Sequence, residues 1–305
     1  MSNIITYEIN EKQNNMKLKD YLKGVAKFSS RLTRETAREE RIKVNNKVVR
    51  LSFVLSTKDK IDVELNKHET QNIEPQKMDL DIVYEDVDLL VVNKAPGIVV
   101  HPTKNYPYGT LANGLLYYYK ETNQDCIVRL VSRLDRDTSG LILIGKNQFS
   151  HMSLARDMHS DDFEKSYFAI IHGHMLADNG TIDDKISEPA EDKIKREVNE
   201  QGKVSITHYI VLEKYKNGEL LKLTLETGRT HQIRVHLSNL GCAIYGDSLY
   251  GTTDDEEYIK EEYIKRQALH AYKLTFPHPR TGEKIALETK MPKDMELLIE
   301  ILRME

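Results

Sequence analysis

The apolar residues of this chain are grouped in short runs, and this feature limits the folds that it can adopt. Runs such as Leu89–Val92 and Leu141–Ile144 have the length of buried strands and fall far short of the roughly 18 residues that cross a bilayer. Other segments, including Leu111–Tyr119 and Lys293–Met304, have helical apolar spacing. Strands and helices follow no regular βαβ order, so we predict an α+β fold in which helices and loops flank a mainly antiparallel, mixed β-sheet.

The length of 305 residues favours two domains, because a single domain usually contains about 100–200 residues. A polar stretch with one proline follows a small N-terminal unit and precedes a β-rich remainder. We therefore predict a small α/β domain at residues 1–66, a linker at 67–79 and a larger domain at 80–305. The first residues lack the layout of a signal peptide, and the two cysteines form no CxxC pair, so we expect a cytoplasmic protein.

Local patterns within the N-terminal unit predict helices followed by strands. Ser29 is a suitable N-cap for a helix at residues 31–40. The segment 42–49 predicts a hairpin that turns at Asn45 and Asn46. Lys60–Leu65 alternates polar and apolar residues and predicts a further strand.

Positive charge is concentrated in this N-terminal unit. Between Lys12 and Arg50, seven lysines and five arginines oppose four acidic residues, a local net charge of +8, so the rest of the chain carries −12 to reach the total of −4. Such an asymmetry favours contact with nucleic-acid phosphates, although a solvated basic helix face would give the same count. The exposed face of the second helix would carry Arg31, Arg34, Arg38 and Arg41. The residues of this unit that we expect to bind RNA are Arg31, Arg34, Arg38 and Lys43.

Two sequence patterns resemble ligand-binding motifs, but neither predicts a nucleotide site or a metal site. Gly140–Asn147 nearly matches the phosphate-binding pattern GxxxxGK[ST], but its four central residues are apolar strand formers, whereas that loop needs free backbone amides. His231 and His236 are five residues apart and would not share a helical face as metal ligands would. We therefore expect no nucleotide cofactor and no metal.

Two dense groups of polar and charged side chains remain. The segment 131–141 places two arginines and two acids between apolar runs, and the segment 225–236 is rich in hydrogen-bond donors. In isolation, the first is typical of a salt-bridged turn and the second of a basic helix start on the surface.

Taken together with their neighbours, these segments resemble the RluA/RluD-type pseudouridine synthases, enzymes that isomerise uridine in RNA to pseudouridine. The resemblance covers most of the chain, and the N-terminal unit resembles the S-four-like RNA-binding module that is often fused ahead of this catalytic domain. Ser132 departs from the family pattern, which usually has histidine there. The matching motifs lie, in order, within residues 82–102, 133–141, 165–167, 228–251 and 269–279.

The resemblance implies roles for five side chains. Asp135 would be the carboxylate beside the ribose–uracil bond, acting as a nucleophile or as a base, and Arg234 would pair with it and keep it ionised. Tyr167 would stack on the uracil and take part in the final proton transfer. Arg133 would fill the gap left by the everted base, and Leu269 would form an apolar wall. The reaction requires neither a metal nor a cofactor.

Several alternatives stay open. The expected substrate is large-subunit ribosomal RNA, with transfer RNA as the alternative, and we expect a monomer that binds RNA and no membrane. A non-catalytic RNA-binding protein on a synthase-like fold is a second reading of the sequence, and a hydrolase that uses Asp135 and His231 is a third. For Arg133, the alternative is a simple ion pair with Asp137.

Overall fold

The computed structural model describes residues 3–65, 69–192, 194–251 and 263–305, which form two separate β-sheets and a short two-stranded ladder. The N-terminal sheet has four antiparallel strands in the order β1-β4-β2-β3 and carries two α-helices. The elements of this unit are β1 (Ile4–Glu8), α1 (Leu18–Gly24), α2 (Ser30–Arg38), β2 (Ile42–Val44), β3 (Lys47–Val48) and β4 (Lys60–Glu64).

Local sequence signals account for most of this unit. The Ser29 hydroxyl accepts a hydrogen bond from the Leu32 amide at the start of α2, as its N-cap position predicts. Asn45 and Asn46 have φ values of 50° and 65°, the left-handed pair that a two-residue hairpin turn requires. The predicted helix, hairpin and final strand are therefore confirmed, whereas β1 was not predicted.

Arg41 does not lie on the exposed basic face. The chain turns after α2 through Glu40, whose φ is 56°, and this turn carries Arg41 back toward β4. Its guanidinium pairs with Glu39 and donates to the Glu64 carbonyl, so the prediction for this residue is wrong. The four residues of this unit that we expect to bind RNA are exposed, namely Arg31, Arg34, Arg38 and Lys43.

The second sheet has ten strands, and its main path runs β10-β13-β14-β9-β15-β8-β6-β5, with β16 on β15 and β7 on β8. Within the described residues, only β8 and β15 pair in parallel, which confirms the mixed, mainly antiparallel sheet. Its strands are β5 (Asp81–Glu85), β6 (Leu89–Lys94), β7 (Arg129–Leu130), β8 (Ser139–Gly145), β9 (Glu164–His172), β10 (Asn179–Asp183), β13 (Ile206–Lys214), β14 (Gly218–Leu225), β15 (Leu269–Pro277) and β16 (Lys284–Glu288).

Four helices and the small ladder complete the described part of the larger unit. The helices are α3 (Leu111–Glu121), α4 (Gln148–Asp157), α5 (Gln232–Asn239) and α6 (Lys293–Met304), and the ladder pairs β11 (Ile186–Ser187) with β12 (Glu197–Val198). The prediction for the last helix is confirmed at both ends. The strand β7 contains only two residues, both half-buried. No helix in the described ranges is both long and apolar enough to cross a bilayer.

Burial of both sheet faces explains the apolar runs of β6 and β8. Successive strand residues point to opposite faces of the sheet, so alternate residues belong to different hydrophobic clusters. Leu90 and Val92 belong to one hydrophobic cluster, whereas Leu89 and Val91 belong to another on the opposite face. The alternate residues of Leu141–Ile144 divide in the same way, so no residue of either apolar run faces water.

The N-terminal unit packs against the larger one through α4. Phe149 is buried within the N-terminal core, where its ring lies 4.8 Å from that of Phe28. Arg280 adds a polar connection, since it forms a two-bond ion pair with Asp88 and donates to the Ile4 carbonyl of β1. The two units therefore share an interface that is partly apolar and partly charged.

The predicted linker lies along the larger unit where it is described. Residues 67 and 68 of that linker lie outside the described ranges. Beyond them, the Asn113 side chain donates to the Glu74 carbonyl, and the Gln71 side chain accepts from the Val128 amide. The domain limits at 66 and 80 stay a prediction.

Candidate active site

The loop between β7 and β8 holds Asp135 at the edge of an open cleft. Where this loop enters β8, the backbone approaches β15 closely, and a Cβ on Gly140 would lie 2.2 Å from the Ala271 carbonyl oxygen. Gly140 also has a φ of +116°, which residues with side chains rarely adopt. A glycine at this position therefore allows the Asp135 loop to end directly beside β15.

Lys94, at the end of β6, connects this loop to its neighbour. Its buried ammonium group donates to the carbonyl oxygens of Ala95, Ile98 and Arg136 at 2.8–3.0 Å. Burial lowers the pKa of Lys94 to about 7, but the three acceptors match the three donors of the charged form. Because Arg136 follows Asp135, these bonds fix the backbone next to the carboxylate.

The first turn of α5 is fixed by a buried side-chain amide. His231 precedes the helix with a left-handed φ of 57°, which is uncommon for a residue other than glycine. The Gln232 oxygen accepts from the Thr227 hydroxyl and the Arg229 amide, while its nitrogen donates to the Ile206 carbonyl. These bonds join the start of α5 to β13 and hold its first turn against the cleft.

Arg234, in that first turn, lies between two carboxylates. Its Nη1 donates to Asp135 Oδ2 at 3.0 Å, while its Nε and Nη2 bind the two oxygens of Asp247 at 2.7 and 2.8 Å. The Asp247 side chain is fully buried, whereas that of Asp135 is 25% exposed. Burial alone would lower the pKa of Arg234, but the hydrogen bonds to Asp247 and the charges of both carboxylates raise it. The guanidinium is thus a fixed cation that orients Asp135.

The inner wall of the cleft is apolar. Tyr167 of β9 is buried there together with Leu225, Ile233 and Leu269, and the open cleft measures about 350 Å³. Burial raises the pKa of Tyr167, and the negative charge of Asp135 raises it further, so the phenol stays neutral. An aromatic plane with apolar neighbours beside a carboxylate provides a suitable recess for a flat, uncharged base.

The outer rim of the cleft is polar and basic. Arg133 and Arg229 are exposed there, and His231 is half-buried. The His231 Nδ1 lies 3.0 Å from the Tyr250 hydroxyl, but its Nε2 lies 3.9 Å from Asp135 Oδ2, which is too long for a hydrogen bond. Asp135 and His231 therefore do not form the hydrogen-bonded pair that a hydrolase would need.

Asp137, two residues after the catalytic candidate, pairs with Arg136. Three contacts of 2.8–3.1 Å join the Arg136 guanidinium to both carboxylate oxygens of Asp137. This partner replaces the Arg133–Asp137 pair that the sequence left open, and Arg133 lines the cleft instead.

Five of the nine predicted site residues meet in this cleft. Its lining includes Arg133, Asp135, Tyr167, Arg234 and Leu269. The other four, Arg31, Arg34, Arg38 and Lys43, belong to the N-terminal unit and are absent from the described lining of the cleft.

Sequence reasoning did not assign roles to Asp247, Gln232 or Lys94. Asp247 lies in a matched motif, and a signal for its role exists, because a buried arginine requires an anionic partner. Gln232 and Lys94 act through backbone carbonyls and amides. The sequence alone does not predict contacts of this kind, because residues distant in sequence supply some of the backbone groups.

Among the described residues, Asp86, Asp88 and His278 form a group whose potential metal-ligand atoms lie within 4.8 Å of one another. Protein partners already engage all three side chains, since His278 bonds to Asp86 and Arg280 bonds to Asp88. We interpret this group, which lies outside the cleft, as a hydrogen-bonded network that supports the turn between β5 and β6.

Comparison with known proteins gives one consistent result. Residues 88–239 match the family model described as RNA pseudouridylate synthase. The chain is 36% identical to the uncharacterized RNA pseudouridine synthase YlyB of Bacillus subtilis, over 99% of either chain. It is 34% identical to ribosomal large subunit pseudouridine synthase D of Escherichia coli K12, over 90% of this chain and 87% of that protein.

A solved structure agrees with these sequence matches. The human protein RNA pseudouridylate synthase domain containing 1 aligns with a TM-score of 0.56 at 27% identity, over 76% of this chain and 98% of that one. Identity above one third along nearly the whole length, together with the arrangement of Asp135, Arg234 and Tyr167 in one cleft, identifies the chain as an isomerase that belongs to the RluA/RluD-type family of RNA pseudouridine synthases.

Proposed function

We propose that the protein converts specific uridines of large-subunit ribosomal RNA to pseudouridine, with Asp135 as the catalytic carboxylate. The Escherichia coli relative is named a ribosomal large subunit synthase, and the match covers 90% of this chain. The observation that best supports the role of Asp135 is its 3.0 Å bond to Arg234, whose other edge is fixed by the buried Asp247.

The division of the cleft into an apolar interior and a basic rim suggests how a nucleotide would bind. Uracil would enter beside Tyr167 and Leu269, while the sugar and its phosphates would stay near Arg133 and Arg229. This orientation places the bond between uracil N1 and ribose C1′ near Asp135, which lies between the two regions. The uridine has to leave its stack, and this costs less from a loop than from a duplex.

The chemistry then requires one bond to break and another to form. The N1–C1′ bond is cleaved, the uracil turns, and C5 bonds to C1′, while C5 loses a proton and N1 gains one. Asp135 would assist cleavage as a nucleophile at C1′ or as a base on the ribose. The neutral phenol of Tyr167 would hold the detached uracil by stacking and could donate a hydrogen bond during proton transfer. Its raised pKa keeps it protonated, so no phenolate is available to act as a base.

Asp135→Asn tests the chemical assignment directly. The amide keeps the shape of the side chain but is neither a nucleophile nor a base, so we expect uridine isomerisation to cease while RNA affinity changes little. Tritium release from RNA labelled at uracil C5 measures turnover, and filter binding measures affinity. Turnover near that of the wild type would show that another group performs the chemistry.

Mapping of pseudouridines tests the choice of RNA. We expect at least one large-subunit ribosomal site to disappear when the gene is deleted and to return with the wild-type gene but not with Asp135→Asn. Loss confined to transfer RNA would contradict the proposed substrate while leaving the activity intact.

We also propose that the N-terminal unit binds RNA as an S-four-like module. Its exposed arginines would contact phosphates, so replacing Arg31, Arg34 and Arg38 together by Gln should weaken RNA binding and reduce its salt dependence. Each lost phosphate contact lowers the slope of log K against log salt by about 0.7 on a single strand. Substitution is cleaner than deletion, because deletion would expose Phe149. Lys284→Gln, on β16, serves as the control, and an unchanged slope in the triple variant would refute this role.

A further inference from the structure

A loop that contacts the Asp135 loop carries two exposed tyrosines that the activity described above does not use. Tyr106 is 43% exposed and Tyr108 is 59% exposed, both on the loop between β6 and α3. All other tyrosines in the described ranges are buried or half-buried. A pair of large exposed rings is costly in water and is typical of an interaction surface.

Tyr106 belongs to an ordered turn. Tyr106 and Thr103 exchange two backbone hydrogen bonds, and the nearby Gly109 amide donates to the Gln76 side chain. Pro107 separates the two tyrosines and restricts the backbone between them. A ring on such a turn loses little conformational freedom when a ligand covers it.

The same turn is connected to the catalytic loop. Arg136 Nη1 donates to the Tyr106 hydroxyl at 2.8 Å, and the Arg136 guanidinium carbon lies 5.9 Å from the centre of that ring. Arg136 directly follows Asp135, and Lys94 bonds to its carbonyl as well as to that of Ile98. These bonds hold the aromatic turn against the Asp135 loop.

We propose that Tyr106 and Tyr108 form a stacking surface for the unpaired nucleotides next to the everted uridine. This inference rests on the proposed function and adds how the flanking RNA is held. Every base offers a flat face to an aromatic ring, whatever its sequence. The exposed cations Arg133, Arg136 and Lys104 lie on the same two loops. The rings of these loops would stack on the bases of single-stranded RNA, and the cations would contact its phosphates.

The test compares Tyr106→Leu with Tyr106→Phe in the full-length protein. Leucine keeps apolar bulk but cannot stack, whereas phenylalanine keeps the ring and loses only the hydroxyl bond to Arg136. Stacking of one base on one ring predicts that Tyr106→Leu weakens binding of a short oligouridylate about 5- to 150-fold. Tyr106→Phe should remain close to the wild type. Leu176→Ala, an exposed apolar change outside the cleft lining, is the control, and thermal melting verifies that each variant is folded.

The salt dependence distinguishes stacking from charge. Loss of a ring should leave the slope of log K against log salt unchanged, whereas Arg136→Gln should lower it by about 0.7 if this arginine contacts a single-stranded phosphate. The same loss and unchanged slope are expected for Tyr108→Leu. The proposal is overturned if Tyr106→Leu binds as well as the wild type, or if Tyr106→Phe is as weak as Tyr106→Leu. Oligouridylate binding is measured without turnover, so absence of isomerisation in the wild type would refute only the proposed function.

Discussion

Replacing Asp247 by Asn would test whether Arg234 depends on its buried partner. The four N–H donors that reach this carboxylate are unevenly distributed. Oδ1 accepts from Arg234 Nη2 and from the amides of Leu249 and Tyr250, whereas Oδ2 accepts from Arg234 Nε. An asparagine can keep its oxygen at the first position, but it then turns an NH2 group toward Arg234 Nε–H. The variant therefore loses the negative charge and leaves one donor of a buried cation without an acceptor.

The expected cost follows from the burial of this pair. Removing one partner of a buried ion pair costs about 3–5 kcal/mol, and the retained oxygen places Asp247→Asn near the lower limit. A loss of about 3 kcal/mol corresponds to a fall in Tm of roughly 6–12 °C for a domain of this size. Turnover should also fall, by about 100-fold, because a small displacement of Arg234 shifts the Asp135 carboxylate that it orients.

Asp294 provides a matched control for this experiment. It binds Arg266 with two bonds of 2.7 and 2.9 Å, but its side chain is 35% exposed, so water can reach the group that replaces the carboxylate. Asp294→Asn should therefore cost less than Asp247→Asn and reduce turnover less, because Arg266 does not contact Asp135. Denaturant unfolding measures the free energy, and tritium release measures turnover. If Asp247→Asn were no less stable than Asp294→Asn and equally active, then Arg234 would not need its buried partner.

Two other predictions concern stability. Gly140→Ala should reduce the unfolding free energy by roughly 3 kcal/mol or more, since the new Cβ would overlap the Ala271 backbone. Gly282 also has a positive φ, but the space around it is open, so Gly282→Ala should lose only about 1 kcal/mol. Equal losses of the two variants in denaturant unfolding would refute the steric explanation. For Asp86, burial alone would raise the pKa, but hydrogen bonds from His278 and from two backbone amides lower it from the ordinary 3.8 to about 2. The pKa of Asp86 is lower in the folded state than in the unfolded state, so its ionised form stabilises the fold above about pH 4, and this stabilisation is lost as the pH falls through 2. Asp86→Asn should therefore remove roughly 2 kcal/mol of the change in unfolding free energy over this pH range. Identical acid unfolding curves for the variant and the wild type would contradict this.

Sequence patterns predicted those elements that local interactions determine. The turn at Asn45 and Asn46 needs only two residues that tolerate a positive φ. The last helix, Lys293–Met304, has a regular apolar stripe, and its buried residues follow that stripe. In both cases the information lies within a few consecutive residues, so no tertiary contact is needed to specify the element.

Elements that depend on distant partners were not predictable in this way. α4 has little apolar periodicity, and its Phe149 is buried because the N-terminal core covers it. The strands β11 and β12 contain two residues each, too few for a sequence pattern to be detected. The spacing of the arginines predicted that Arg41 lies on the exposed face of the helix. In the structure its guanidinium instead donates to the Glu64 carbonyl. Tertiary structure decided each of these outcomes.

The geometry of Arg234 explains how one carboxylate can be held firmly and still react. A guanidinium offers five N–H donors in a rigid plane, and Asp247 uses the Nε–Nη2 edge with both of its oxygens. Only Nη1 then reaches Asp135, and it does so at a single oxygen, Oδ2. A two-bond pair with Asp135 would engage both of its oxygens and reduce their reactivity, whereas the observed single bond leaves Oδ1 without this partner. The buried Asp247 thus fixes Arg234, and Arg234 fixes Asp135 through one oxygen. In the role that we propose for Asp135, its other oxygen would act on the ribose.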